Sequence, residues 1–169
     1  MNIRSSVLLL AIAAVISGCA ASSSEVVKPL PEALAKNGFI QTVDIKAVPA
    51  NVSPDFQPTL LTELQKTTKA CATGAQPLRL EVNVVQFRAQ NAAVTILIGD
   101  SNLIKGSARL VDPASNEVVG DYEITRSIGG GGIIGALAMA GPESSMSDAF
   151  AQEICKQAFG RDPSAYSAR

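Results

Sequence analysis

Apolar and polar residues alternate along several stretches of this chain and recur at helical spacing in two others. From position 39, Phe39, Val43, Ile45 and Ala47 fall on one side and Thr42, Asp44 and Lys46 on the other, which predicts a strand with one buried face. Pro58 and Thr59 then open a helix carrying Leu60, Leu61, Leu64, Thr68 and Cys71 at helical spacing, with Gly74 expected to close it. Leu78 to Val84 alternates almost perfectly and predicts a second strand. Phe87 falls out of that register, so a bulge is expected near Val85 and Gln86. The apolar run Val94 to Ile98 predicts a further short strand, ending in a turn at Gly99-Asp100-Ser101-Asn102. Ile104, Gly106, Ala108 and Leu110 alternate outwards, Asp112 to Asn116 forms a tight loop, and Val118, Gly120, Tyr122 and Ile124 return, the pattern of a β-hairpin. A final helix is expected from about Glu143 to Phe159, with Met146, Phe150, Ile154 and Ala158 along one stripe. The fold class is therefore α+β. An antiparallel or mixed sheet of about four strands would carry two helices on one face, in the order β-α-β-β-β-α.

Ahead of this domain the chain begins Met1-Asn2-Ile3-Arg4, followed by an apolar run from Val7 to Ile16. That run is shorter than the roughly 20 apolar residues a membrane span requires, and its basic flank suits a signal peptide. It ends at Ile16-Ser17-Gly18-Cys19, which resembles the lipobox of bacterial lipoproteins. The resemblance implies cleavage before Cys19 and lipid attached to its thiol. Two or more acyl chains anchor stably where one does not, at about 0.8 kcal/mol per buried methylene. Ala20, rather than Asp, follows the cysteine; by analogy with enteric bacteria this points to the outer membrane, facing the periplasm. Residues 1–18 are thus read as signal peptide and 19–37, with Ser22 to Ser24, Pro29 and Pro31, as lipid anchor and flexible tether. Residues 38–160 form the single α+β domain and 161–169 a C-terminal tail.

Composition then removes most enzyme classes. The chain has no histidine, which excludes Ser-His-Asp and Cys-His nucleophile systems, His-ligated zinc and His acid–base chemistry. Fourteen basic residues against 15 acidic ones, with no basic tract and no Trp, exclude a nucleic-acid face. Beyond Cys19 the remaining cysteines are Cys71 and Cys155, too far apart for a CxxC motif. In an oxidising compartment such a pair is expected as a disulfide, and both fall on helices predicted to be neighbours on the sheet.

Three motifs carry possible chemistry. Ile96 to Ser101 resembles the block presenting the nucleophilic serine of GDS-type esterases, but it sits mid-chain and no histidine exists to take the serine proton. Gly130 to Gly135 fits G-x-G-x-x-G in form, yet neither a βαβ unit nor a ribose-binding acid follows. Gly132, Ala136 and Ala140 recur every four residues and would form a smooth ridge for a partner or lipid if helical, or else belong to a glycine loop packed on the core. Glu81, and Asp121 with Glu123, are strand carboxylates expected at a solvated surface.

From Leu78 to Phe159 the layout is similar to that of a group of bacterial envelope lipoproteins. The strand ending near Phe87, the Leu110-Val111-Asp112 turn, the glycine run and the closing helix carry the likeness. A similar element order occurs in periplasmic adaptor modules resembling the amino-terminal domain of TolB. These resemblances imply a non-enzymatic binding or adaptor role in envelope assembly, transport or secretion. The expected partners are membrane lipid through Cys19 and an envelope protein, and no cofactor is implied. Alternatives are a self-assembling membrane component using residues 128–141, and a hydrolase working through carboxylates alone. Replacing Cys19 with Ala is expected to leave the leader uncleaved by the lipoprotein peptidase and the protein free of acyl chains. Intact-mass analysis checks this, and normal acylation of the variant would refute the lipobox reading.

Overall fold

The computed structural model describes residues 20–130 and 141–163. Its strands are β1 (Ala20–Ser22), β2 (Glu25–Lys28), β3 (Gly38–Ala47), β4 (Gln76–Arg88), β5 (Asp100–Val111) and β6 (Val118–Gly130). Its helices are α1 (Glu32–Asn37), α2 (Phe56–Cys71), α3 (Ala92–Leu97) and α4 (Pro142–Phe159). The strands make one mixed sheet in the order β1-β6-β5-β4-β3, with β2 paired to β6 beside β1. β3 and β4 run parallel through the α2 crossover, and the remaining pairs are antiparallel. The α+β class expected from periodicity is the one observed, but the sheet has six strands rather than about four.

Period two in the sequence becomes one buried face. Leu78, Leu80, Val82 and Val84 of β4 point into the core with Ile104, Ala108 and Leu110 of β5 and Tyr122 and Ile124 of β6. Each large apolar side chain covered in this way contributes about 1.5–3 kcal/mol. At Val84 the β4–β5 register slips, so that Val84 faces Gly106 and Gln86 faces Lys105. Val85 is the extra residue and is exposed, while Phe87 returns to the core and meets the Phe56 ring at 5.0 Å. The bulge expected from the misplaced Phe87 is therefore present. Gly106 sits opposite it, where a β-carbon would come within 2.4 Å of the Asn83 carbonyl oxygen. In β3 two register irregularities break the simple alternation. As a result Ile40, rather than Phe39, packs on the core with Val43 and Ile45.

The helices lie side by side on that face. α2 buries Phe56, Leu60, Leu64, Thr67, Thr68 and Cys71, and α4 buries the expected stripe of Met146, Phe150, Ile154 and Ala158. α2 stops at Cys71, and Gly74 lies further on, where its N–H bonds to the Gly38 carbonyl. α4 ends in the left-handed Gly160 (φ 62°), which frees its N–H for the Lys156 carbonyl. Thr67 donates to Asp148 across the helix pair at 2.8 Å. One turn further along α2 and two turns further along α4, Cys71 and Cys155 are joined by a disulfide, with Cα atoms 5.7 Å apart and both residues buried. Arg161 then donates to the Cys71 carbonyl at 2.5 Å and covers the C-terminus of α2.

The bridge spans 84 residues, a loop for which chain entropy alone gives about 4–5 kcal/mol. Replacing both cysteines with Ala is expected to lower unfolding stability by about 2–5 kcal/mol. Urea titration measures the change, and an unaltered midpoint would show that the bridge does not constrain the domain.

Candidate functional site

The N-terminal segment expected as a tether is instead built into the sheet edge. Ala20, Ala21 and Ser22 pair with Ile128, Ser127 and Arg126, and after a short break Glu25 and Val26 pair with Glu123 and Tyr122. Leu30 then enters the core, and its N–H donates to the buried Tyr122 hydroxyl at 2.9 Å. Burial pushes the Tyr122 pKa up, so the hydroxyl stays neutral and accepts this bond. Leu34 and Ala35 of α1 complete the packing. Pro29 and Pro31, which suggested a stiff linker, flank this anchoring leucine.

One buried carboxylate latches this strap to the helices. Glu153 of α4 is 2% exposed; it accepts from the Ser24 hydroxyl at 2.9 Å and from Gln157 at 2.7 Å, and pairs with Arg126 at 3.4 Å. Burial by itself would raise its pKa, but hydrogen bonds from Gln157, Ser22 and Ser24 and the Arg126 charge bring it below the ordinary value. A carboxylate with a lowered folded pKa stabilises the fold above its unfolded pKa, and that contribution is lost as pH falls through the folded value.

The start of β1 shares one end of the sheet with an apolar projection. Ile128 lies between Ala20 on one side and Asn102 on the other, placing Ala20 and Asn102 roughly 10 Å apart. Just before β5 stands α3, formed where a strand was expected from Val94 to Ile98. Asn91 supplies the reason: its side chain accepts from the N–H groups of Ala93 and Val94 and caps a helix turn. Thr95 turns inward and donates to the Asn91 carbonyl at 2.7 Å. Asp100 fixes the base of the projection, accepting from the Asn91 and Ser101 N–H groups and from Arg88. Those bonds, the Asn91 N–H foremost, lower its pKa to about 2. Gly99 (φ 82°) makes the turn, and β5 already begins at Asp100. Outside this frame, Ile96, Leu97 and Ile98 are 53, 80 and 85% exposed.

The other residues singled out in the sequence are placed as follows. Glu81 lines a shallow depression of about 330 Å³ on the open sheet face with Lys46, Asn83, Ser107 and Arg109. It pairs with Lys46 and Arg79, both at 3.2 Å. Burial opposes ionisation there, but hydrogen bonds and charge from the two cations hold its pKa below normal. Asp121 pairs with Arg109 at 3.2 Å, and Glu123 lies between Ser107 and Glu25 in the register. Ser101 receives a bond from Arg88 and sits beside Asp100. Cys19, Gly132, Ala136 and Ala140 lie outside the described residues. Among the described residues no group of three metal-ligating side chains comes together, and no helix is long and apolar enough to cross a membrane. Periodicity missed α3, the strap and Glu153. Asn91, a capping residue ahead of the apolar run, was the available signal for α3.

No family model matches the chain, and no curated protein matches it. Solved structures do. The fold resembles that of PelC. The match is to a PelC dodecamer from Paraburkholderia phytofirmans, with a TM-score of 0.52 and 13% identity over 83% of this chain and 99% of that one. A provisionally named lipoprotein from Caulobacter crescentus CB15 matches with a TM-score of 0.44 and 13% identity, covering 75% of this chain and 90% of that one.

Replacing Glu153 with Gln is expected to loosen the strap by about 1–3 kcal/mol. Amide exchange of residues 20–28 should quicken while β4 and β5 stay protected. In the parent, acidification below the ordinary carboxylate range should loosen the same residues, and the variant should lose that pH response. Exchange that quickens uniformly across the sheet would refute a local latch.

Proposed function

We propose that this chain is a membrane-anchored envelope lipoprotein, acylated at Cys19, that serves as a non-enzymatic binding or adaptor module. The observation that carries the reading is the strap. The residue following the lipobox cysteine is hydrogen-bonded into the domain, as suits a protein whose anchor must orient its surface. Acylation at Cys19 brings the Ala20 end of the sheet to the bilayer, and Ala20 after the cysteine favours the outer membrane facing the periplasm. The open sheet face, with Lys46, Glu81, Arg79, Arg109 and Asp121 tied in ion pairs, is left for an envelope protein partner. Carboxylates already engaged with cations make poor proton donors, which supports a non-enzymatic role over a carboxylate hydrolase.

A second reading is a self-assembling membrane component, in which residues 128–141 join copies together. The likeness of fold to a dodecameric PelC favours it.

Light crosslinking of the envelope, followed by detergent extraction and sizing, separates the two. The adaptor reading expects one copy of the chain joined to a different envelope protein. The assembly reading expects a discrete multimer of the chain alone. Recovery of the wild-type protein in the soluble periplasmic fraction, free of acyl chains, would sink both.

A further inference from the structure

Large exposed apolar side chains are scattered over most of the described surface but gather at one place. Val26 and Val27 lie on the edge strand β2 and Val85 on the bulge, whereas Val94, Ile96, Leu97 and Ile98 stand together on and just after α3. Not one charged residue occurs between Arg88 and Asp100 in the sequence, and those two bounding charges are spent on each other at 2.6 Å. A contiguous apolar surface rimmed by polar groups marks an interaction site rather than ordinary exposure. The frame beneath it is fixed, because Asn91 caps the turn, Asp100 ties Asn91 to β5, and the Gln90 N–H donates to the buried Asn102 side chain at 2.8 Å. The apolar residues are therefore presented outward by a braced turn and cannot fold back without breaking it.

The occupant follows from where the chain leaves the described residues. Ala20 is in register with Ile128 and, one strand further, with Asn102, so the residue bearing the lipid is attached at the same end of the sheet as α3. We propose that Ile96, Leu97 and Ile98 insert into the acyl boundary of the bilayer as a second membrane contact beside the lipid on Cys19. This rests on the acylation proposed above. A lone acyl anchor leaves a domain free to pivot, and a second apolar contact at the same end sets its stance on the membrane. The insertion is shallow, since the polar base formed by Arg88, Asp100 and Asn102 marks where the headgroups begin.

The absence of Trp from the chain makes the test direct. Leu97→Trp, at a position 80% exposed, gives a single tryptophan at the projection. Ala114→Trp, in the exposed turn between β5 and β6, gives one at the opposite end. Each full mature protein, extracted from the envelope, is placed on vesicles of phosphatidylethanolamine and phosphatidylglycerol, with and without bromine on the acyl chains. The expected result is co-flotation of both, with blue-shifted emission and bromine quenching for Leu97→Trp and neither effect for Ala114→Trp. Co-flotation with Leu97→Trp still water-exposed would overturn the insertion while leaving the anchor intact. Failure of both proteins to float would overturn acylation, and the insertion with it. A Leu97→Trp signal shielded in detergent-free solution before vesicles are added would also overturn it. Dependence of that shielding on protein concentration would assign the surface to a second copy, and independence to the chain's own residues 131–140. Equal quenching of the two fluorophores would show nonspecific adsorption and would equally refute the proposal.

Discussion

One face of a strongly alternating sheet has to be hidden from water, and the two long helices are what hides it. β4, β5 and β6 present Leu80, Val82, Ile104, Leu110, Tyr122 and Ile124 on the same side. No single helix is wide enough to cover three strands. α2 and α4 share the task, and that sharing dictates much else. It brings Thr67 opposite Asp148 and Cys71 against Cys155, and it brings the Glu63 carboxylate within reach of the Ser144 hydroxyl. It also leaves the β6 edge open to a strap, because Glu153 reaches past the rim of α4 to hold Ser24 and Arg126. The edge strand that would otherwise offer unpaired N–H and C=O groups is thereby occupied by the chain itself.

The parts of this arrangement visible in the sequence were those in which burial follows a regular period. Leu78 to Val84, the β5–β6 hairpin and the α4 stripe were all legible for that reason, and so was the bulge, since Phe87 could reach the core only if one residue was skipped. The strap was not legible. Glu25 to Lys28 is exposed along its whole length, so its pairing is decided by backbone bonds to β6 and leaves no hydrophobic period to read. Pro29 and Pro31 suggested a linker because proline composition does not reveal that the leucine between them is buried. α3 was misread for the opposite reason. Its Val, Ile and Leu residues carry strand propensity, but where Ile96 and Leu97 are this exposed the local cap at Asn91 decides the conformation. The cysteine pair was legible because both residues sit on predicted helices that had to be neighbours. The ion pairs around Glu81 were not, because they depend on the parallel pairing of β3 with β4.

The same logic explains why the end of the sheet near Ala20 differs from the other. At the far end the β5–β6 turn is polar and self-satisfied: Asp112 accepts from the Ala114 and Ser115 N–H groups, and Asn116 adopts a left-handed conformation. At the near end polar side chains form only the base of α3, and apolar ones make up its surface. That asymmetry is the one the proposed docking at the Ala20 end would use.

The strap also sets a reach. β5 extends over 12 residues, so its two ends are about 40 Å apart. A flexible leader would let such a domain sweep a wide hemisphere above its attachment point and meet partners at many heights and angles. A leader laid down as an edge strand, together with the proposed second contact at α3, would remove that freedom. With Cys19 acylated as proposed, the β5–β6 turn would be carried at a nearly constant height. A partner engaging that turn would then be selected by its own stature above the membrane as well as by surface chemistry.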